Sequence, residues 1–456
     1  MWSEMLSSFA NANGSGRKIL ETAAGSFGVW IVGTTFTFLV GVQLARQLGP
    51  AGYGTYGTVM ALISFLLVPA QFGLPQLATR EVAAGLAGGR LAVVKGVISW
   101  FPWVVGGNSL LIVLIGLTVA VVFSLGQNGG TSLAFLYGLT LVPLFALVNL
   151  LNGVLRGMHR TVLAQFLDAL ARPALYSASL YAMVQWSDGL DPGSALVVQA
   201  GTAVFVLLLC AIAIHKVLPE PVRRSGKVVV ARAWLRDAFP MALTEVFRTA
   251  DGIFGVLLLG LVANAEDVGL FRVALSSALF VGLPMTIVNL VTMPWIAKFH
   301  AERDFVRLQR LLASASVAAS VITIALTLVI LIAGQPLIRL VFGADYLEAW
   351  APLIILCLAC CANASLGATA ALLNMASEAR VVTTSFATSL AIAVPVSIIL
   401  CEYFGSIGAA VGMLVSTLIR DVQMRHTALL RIGVDPSLVS FLFSTGTNKH
   451  VPPNTA

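Results

Sequence analysis

Apolar stretches of about 18 or more residues recur along the whole chain, and each is long enough to cross the hydrocarbon core of a bilayer as a helix. A backbone surrounded by lipid must pair every N–H and C=O internally, so only helices and closed barrels can span. Barrel strands alternate apolar and polar residues over segments of about 10. The runs here do not alternate, which points to helices. Composition agrees: of 456 residues, 58% are hydrophobic and 10% charged, whereas a soluble domain carries roughly 25% charged residues. An ordinary cytosolic enzyme, a disordered chain and a disulfide-bonded secreted scaffold are all excluded.

Twelve spanning segments can be marked, at about 23–46, 53–76, 96–122, 131–154, 164–185, 195–215, 238–260, 268–297, 310–334, 347–376, 382–402 and 405–424. The first exceeds the 7–15-residue core of a signal peptide and reads as a retained helix. The eighth and tenth are long enough to require tilt or a kink, and the last two are separated by a very tight turn. The charges in the connecting loops give the orientation. Of 27 Lys and Arg, 22 lie in the N-terminus, in alternate loops and on the C-terminal side from Arg420 onward, and the other loops are neutral or acidic. The positive-inside rule then places both termini in the cytoplasm. The net charge of +7 is read as this topological signal and as attraction to anionic headgroups, not as a nucleic-acid surface.

The longest internal loop, 216–237, carries Pro219, Pro221 and six basic residues. It divides the chain into an N-terminal lobe of helices 1–6 (23–215) and a C-terminal lobe of helices 7–12 (238–431), flanked by a cytoplasmic N-terminus (1–22) and a tail (432–456). The tail reads as a short helical remnant followed by a disordered end. A faint internal repeat supports the division. Gly41–Tyr56 can be laid over Val256–Phe271 with a shift of 215 residues, which places Gly54 on Gly269 and Tyr56 on Phe271. Six is an even number, so both halves begin on the same side and are related by an axis along the membrane normal. Two such bundles around a cavity are a transporter architecture.

Charged residues within the apolar segments mark candidate sites, because an ion at mid-membrane costs at least about 2.5–3.5 kcal/mol unless paired or wetted. The seventh segment carries Glu245, Arg248 and Asp251. Their i, i+3, i+6 spacing keeps them within one side of the helix. They form either a cavity-facing site or a self-compensating pair of Arg248 with Glu245 or Asp251. The fifth opens with Asp168 and Arg172, an i, i+4 pair that is either a simple salt bridge or part of a headgroup entrance. Arg272 lies one turn into the eighth segment, where it can snorkel outward or point into a cavity. The cluster Cys357, Cys360 and Cys361 has no His or carboxylate in its segment, and its small thiols are read as packing. No cofactor and no metal site is expected. The sequence has no nucleotide loop, no H-E-x-x-H and no G-x-S-x-G, and its outer loops are too short for a catalytic chamber.

The run Gln43-Leu-Ala-Arg-Gln-Leu-Gly-Pro-Ala-Gly-Tyr-Gly-Thr-Tyr56 resembles the first-turn signature of the polysaccharide transporter, or Wzx-type flippase, family of the multidrug/oligosaccharidyl-lipid/polysaccharide exporter superfamily. Phe72-Gly-Leu-Pro-Gln-Leu-Ala-Thr-Arg-Glu-Val-Ala83 and Leu155-Arg-Gly-Met-His-Arg160 are similar to the segments that follow it in that family, as is Arg172-Pro173. Asp267-Val-Gly-Leu-Phe-Arg272 and Met293-Pro294 repeat the pattern more loosely.

The resemblance implies two six-helix lobes in a V around a central cavity, in the bacterial inner membrane. It implies alternating-access transfer of undecaprenyl-diphosphate-linked oligosaccharide for exopolysaccharide, O-antigen or capsule biosynthesis. Arg248, Arg272 and Arg172 would then face the pyrophosphate. Glu245, Asp251 and Asp168 would hold those arginines or bind a coupling H+ or Na+. The polymerase machinery of the same polysaccharide is the expected protein partner. The two extra helices of the related lipid II flippases are absent, which argues against a lipid II role. The alternatives are a cation-coupled drug or metabolite exporter on the same fold and, further off, a polysaccharide polymerase.

Overall fold

A computed structural model gives the fold, and it describes residues 14–124, 130–186, 189–376, 378–438 and 440. Among these there are helices and no strand. In chain order they are α1 (Gly14–Gln71), α2 (Leu74–Ala87), α3 (Leu91–Ser124), α4 (Gly130–Leu139), α5 (Leu141–Gly157), α6 (Thr161–Gln165), α7 (Arg172–Trp186), α8 (Pro192–Val217), α9 (Glu220–Arg224), α10 (Ala231–Val262), α11 (Ala265–Ala301), α12 (Phe305–Val341), α13 (Trp350–Leu366), α14 (Thr369–Met375) and α15 (Ala379–Ile432). Eight helical stretches among the described residues are long and apolar enough to cross a membrane, two of them running across α4–α5 and across the turn that precedes α13.

Each of the twelve predicted segments is largely helical, although the second is broken at Phe72–Gly73 and the fourth at Thr140. Two continuous rods, α1 and α15, each take in most or all of two of them. In α1 the direction changes at Gly49, at φ 66°. In α15 it changes at Gly405, at φ 52°. A side chain is strained in that left-handed region, and glycine is not. At the second break the Asp267 carboxylate accepts a hydrogen bond from the Ser406 backbone N–H at 3.2 Å, which pins the tight turn. The long tenth segment is interrupted: α13 stops at Gly367, at φ 79°, and α14 restarts at Thr369.

The burial pattern is inverted relative to a soluble protein. On α12, Ser316, Ser320 and Thr323 are buried while Val321 and Ile322 are 60% and 52% exposed. On α3, Leu110, Leu111, Leu114 and Ile115 are all more than half exposed. Small polar residues pack between helices and large apolar ones face outward, the arrangement a lipid solvent selects. This is a multi-pass membrane protein.

The chain divides into two compact units. The first comprises the chain to Leu48 together with Leu62–Val246, and the second comprises Gly49–Ala61 together with Phe247 onward. In the first unit, Trp100 and Phe101 of α3 pack on Trp234 of α10, with ring centroids 5.6 and 5.1 Å apart. The basic 216–237 segment is anchored there: Lys95 donates to the carbonyls of Arg223 and Ser225 at 2.7 and 2.6 Å.

In the second unit, residues 49–61 of α1 pack on the α10–α11 turn through a reciprocal contact. A Cβ on Gly54 would collide with the Ala265 carbonyl, and one on Gly269 with the Pro50 carbonyl. Each glycine thus lies against the residue four positions before the other. The two glycines are the pair matched by the 215-residue repeat, so the repeat is realised as a local two-fold contact.

The end of the chain is more ordered than the sequence suggests. Residues 433–438 fold back on α12 and α15: Gln309 donates to the Asp435 carbonyl at 2.6 Å, and Ser316 donates to the Pro436 carbonyl at 2.6 Å. Arg425 pairs with the Asp435 carboxylate at 2.7 Å. The predicted disordered end falls beyond residue 440, outside the described residues.

Candidate functional site

The second unit contains a cavity of about 270 Å³ whose polar side chains are Arg248, Asp251, Asn289, Asn363, Thr369, Arg420 and Asp421. Five elements supply it. α10 brings Arg248 and Asp251, α11 brings Asn289, α13 brings Asn363, α14 brings Thr369, and α15 brings Arg420 and Asp421. The interruption at Gly367 opens the wall between α13 and α14, so the turn Gly367–Ala370 also faces the cavity.

Arg420 sits between two carboxylates. It pairs with Asp251 and, at 3.0 Å, with Asp421; the three side chains are 14%, 12% and 4% exposed. Each carboxylate has a second donor: Ser416 to Asp251 at 2.7 Å and Asn363 to Asp421 at 2.7 Å. The guanidinium also lies 5.1 Å from the Phe386 ring centroid. Charge-assisted hydrogen bonds of this kind are the strong ones, and a buried arrangement holds only when all members are satisfied.

Of the sequence candidates on α10, Arg248 and Asp251 come together at this cavity. Glu245 belongs to the first unit, where Gln76 donates to it at 3.5 Å. Asp251 takes Arg420 as its arginine partner. Its place along the sequence groups Arg420 with the topological charges of the C-terminal side, whereas the structure makes it a nearly buried member of the cavity. Asp421, Asn363 and Asn289 were also missed. The signal was present, since Asp421 and the two amides interrupt apolar helices. Arg420 and Asp421, however, fall in the last turn of the final segment, where hydropathy cannot separate a loop charge from a buried one.

Arg272 of α11 is held differently. Its guanidinium lies 4.9 and 5.4 Å from the ring centroids of Tyr53 and Tyr56, the two tyrosines of the first-turn motif. Its side chain occupies the space above Gly57, where any Cβ would meet the arginine. Among the described residues no carboxylate pairs with it. Cation–π stacking orients the guanidinium while leaving its N–H groups available.

In the first unit, Asp168 and Arg172 form the expected i, i+4 pair at 3.3 Å, without hydrogen-bond geometry for Asp168 Oδ1. Residues Phe166–Ala171 form a π-helical turn, and Arg172 stacks 4.9 Å from the Phe145 ring centroid. Gly33 of α1 lies against this turn, and a Cβ there would collide with the Ala169 carbonyl. Widened turns of this kind often accompany functional positions.

Of the cysteine cluster, Cys361 Sγ lies 3.2 Å from the Thr327 hydroxyl and Cys360 Sγ 3.8 Å from the Ala278 carbonyl, so both face neighbouring helices.

Comparison with solved structures shows the same fold in transporters. An inward-facing multidrug resistance MATE family transporter of the MOP superfamily superposes with a TM-score of 0.69 at 16% identity, covering 90% of this chain and 98% of that one. The lipid II flippase MurJ in an inward closed conformation gives 0.64 at 14% identity, covering 94% of each chain. A MOP superfamily transporter from Pyrococcus furiosus, described as having a binding pocket of reversed polarity, gives 0.60 at 14% identity, covering 91% and 95%. No curated protein matches. The family described as polysaccharide biosynthesis protein matches residues 23–300, more than half of the chain and inclusive of the first-turn motif, the Asp168–Arg172 pair and the Arg272 stack. The chain therefore belongs to the polysaccharide biosynthesis protein family.

Proposed function

We propose that the protein is a flippase that moves an undecaprenyl-diphosphate-linked oligosaccharide from the inner to the outer leaflet of the bacterial inner membrane, for the assembly of a surface polysaccharide. Both termini lie in the cytoplasm in this reading, and no covalent chemistry is involved. The observation that carries it is Arg272. A guanidinium with no carboxylate partner among the described residues, set two turns into an apolar helix and stacked on two tyrosines, suits bidentate contact with a phosphate. Arg172 plays the same part in the first unit when Asp168 releases it. Family membership supports the polysaccharide substrate, and the MurJ-like fold supports lipid-linked transfer.

A cation-coupled exporter is less well supported. Such an exporter needs a carboxylate whose charge is not already balanced, and in this cavity Arg248 and Arg420 together balance Asp251 and Asp421.

The test is transbilayer movement of a labelled undecaprenyl-diphosphate oligosaccharide in proteoliposomes. The wild type is expected to move it, and Arg272→Ala to lose about tenfold or more of the rate, the effect of one charge-assisted hydrogen bond. Arg272→Lys should recover only part, because an ammonium keeps the charge but not the planar fork. A wild type that moves no lipid-linked glycan, or an Arg272→Ala variant at full rate, would sink the proposal.

A further inference from the structure

We propose that the cavity of the second unit is a saccharide subsite, which holds a sugar ring of the substrate by its hydroxyls while the phosphates are held elsewhere. This rests on the flippase reading and assigns a part of the substrate to a specific place.

The first argument is charge. Arg248, Asp251, Arg420 and Asp421 all line the cavity, and their formal charges cancel. A pyrophosphate is a polyanion and requires a net positive site. A cavity with two carboxylates in its wall repels it, whereas an uncharged polyol meets no such repulsion.

The second argument is hydrogen-bond type. An ionised phosphate only accepts, whereas a hydroxyl both donates and accepts. The lining mixes the two roles: guanidinium and amide N–H groups donate, and carboxylate and amide oxygens accept. Asn289 Oδ1 is buried without a hydrogen-bond partner, an acceptor that a hydroxyl can satisfy and a phosphate oxygen cannot. Planar carboxylate, amide and guanidinium groups also match pairs of adjacent ring hydroxyls in a bidentate manner.

The third argument is shape. Met285, Met424 and Phe386 form an apolar part of the wall, suited to the C–H face of a pyranose. The volume of about 270 Å³ is near the lower end of small-molecule sites, at roughly 300 Å³, and suits one ring with part of the next. Apolar walls with a few placed polar groups are the usual form of such sites. Arg248, grouped with the phosphate ligands on sequence grounds, becomes a sugar contact here.

The experiment is saturation-transfer NMR on the full chain in lipid nanodiscs, with a panel of uncharged, phosphate-free methyl glycosides and N-acetylhexosamines. At least one member is expected to give a signal that inorganic pyrophosphate does not displace. Two variants test the location. Gly252 lines the cavity and has open space where its Cβ would be, so Gly252→Leu fills the site without a clash. Asn289→Ala removes the amide. Both should weaken saccharide binding by about tenfold or more, the loss expected for a hydrogen bond or for steric exclusion, with unchanged thermal stability.

Absence of binding across the panel, displacement of sugar by pyrophosphate, or wild-type binding in Gly252→Leu would each overturn the subsite. Flipping measured in parallel separates the two ideas. Flipping without saccharide binding leaves the flippase and removes the subsite. Saccharide binding lost in both variants but without flipping leaves the subsite and removes the flippase.

Discussion

At the scale of single residues, Arg420 organises the polar interior of the second unit. It holds Asp251 and Asp421 at once, and both are nearly buried. Removing one partner of a buried ion pair leaves an uncompensated charge, at a cost of about 3–5 kcal/mol. Arg420→Met is therefore expected to lower thermal stability in detergent by that order. Adding Asp251→Asn and Asp421→Asn should recover much of the loss, because no buried charge then remains alone. A triple variant no more stable than Arg420→Met would contradict this account of the pairing.

Sequence reasoning located Arg248 and Asp251 because a charge in an apolar run is conspicuous. It assigned Arg420 to the wrong group because rank along the chain does not report burial. The stacking of Arg272 on Tyr53 and Tyr56 was equally invisible, since those residues are some 216–219 positions apart and meet only through folding.

At the scale of elements, the helices themselves were legible. A bilayer leaves the backbone no alternative, and hydropathy alone marks where it must be helical. The breaks were legible only in part. The tight turn between the last two segments was visible as a glycine between apolar runs, but its pinning by Asp267 from another element was not. The fold-back of residues 433–438 was hidden because a short polar stretch after a helix ordinarily reads as a fraying end.

That strap makes a pH prediction. Burial pushes the Asp435 carboxyl up, but hydrogen bonds from Arg425 and Ser437 outweigh it and hold the group below its ordinary value. A depressed folded-state pKa contributes stability that is present above the unfolded value, about 3.9 for Asp, and lost as pH falls through the folded one. Wild type should thus be more stable than Asp435→Asn near pH 7, and the gap should close below about pH 4. Melting curves of the two proteins across that range check it; a gap constant with pH would contradict it.

At the scale of the whole molecule, the alternation of basic and acidic loops implies that residues 191 and 227 lie on opposite sides of the membrane. In a background lacking the five native cysteines, Lys227→Cys should react with an impermeant maleimide only from the cytoplasmic face, and Asp191→Cys only from the other. Labelling of both from one face would refute the topology. The spans were readable as helices because hydropathy is a local quantity that adds up along the chain. The cavity was not, because its lining comes from five helices and is spread over residues 248–424.

The repeat has a consequence at the contact between Gly54 and Gly269. Position 57 lies opposite position 272, and the same 215-residue shift relates these two as well. In a symmetric dimer of half-length chains, one codon would fill both places, giving two arginines in mutual repulsion or two glycines with no charge at all. Joining the halves in one chain removes that obligation. Gly57 can stay small so that Arg272 can be large, and a single cation stands near the local axis where strict symmetry would allow only a pair or none.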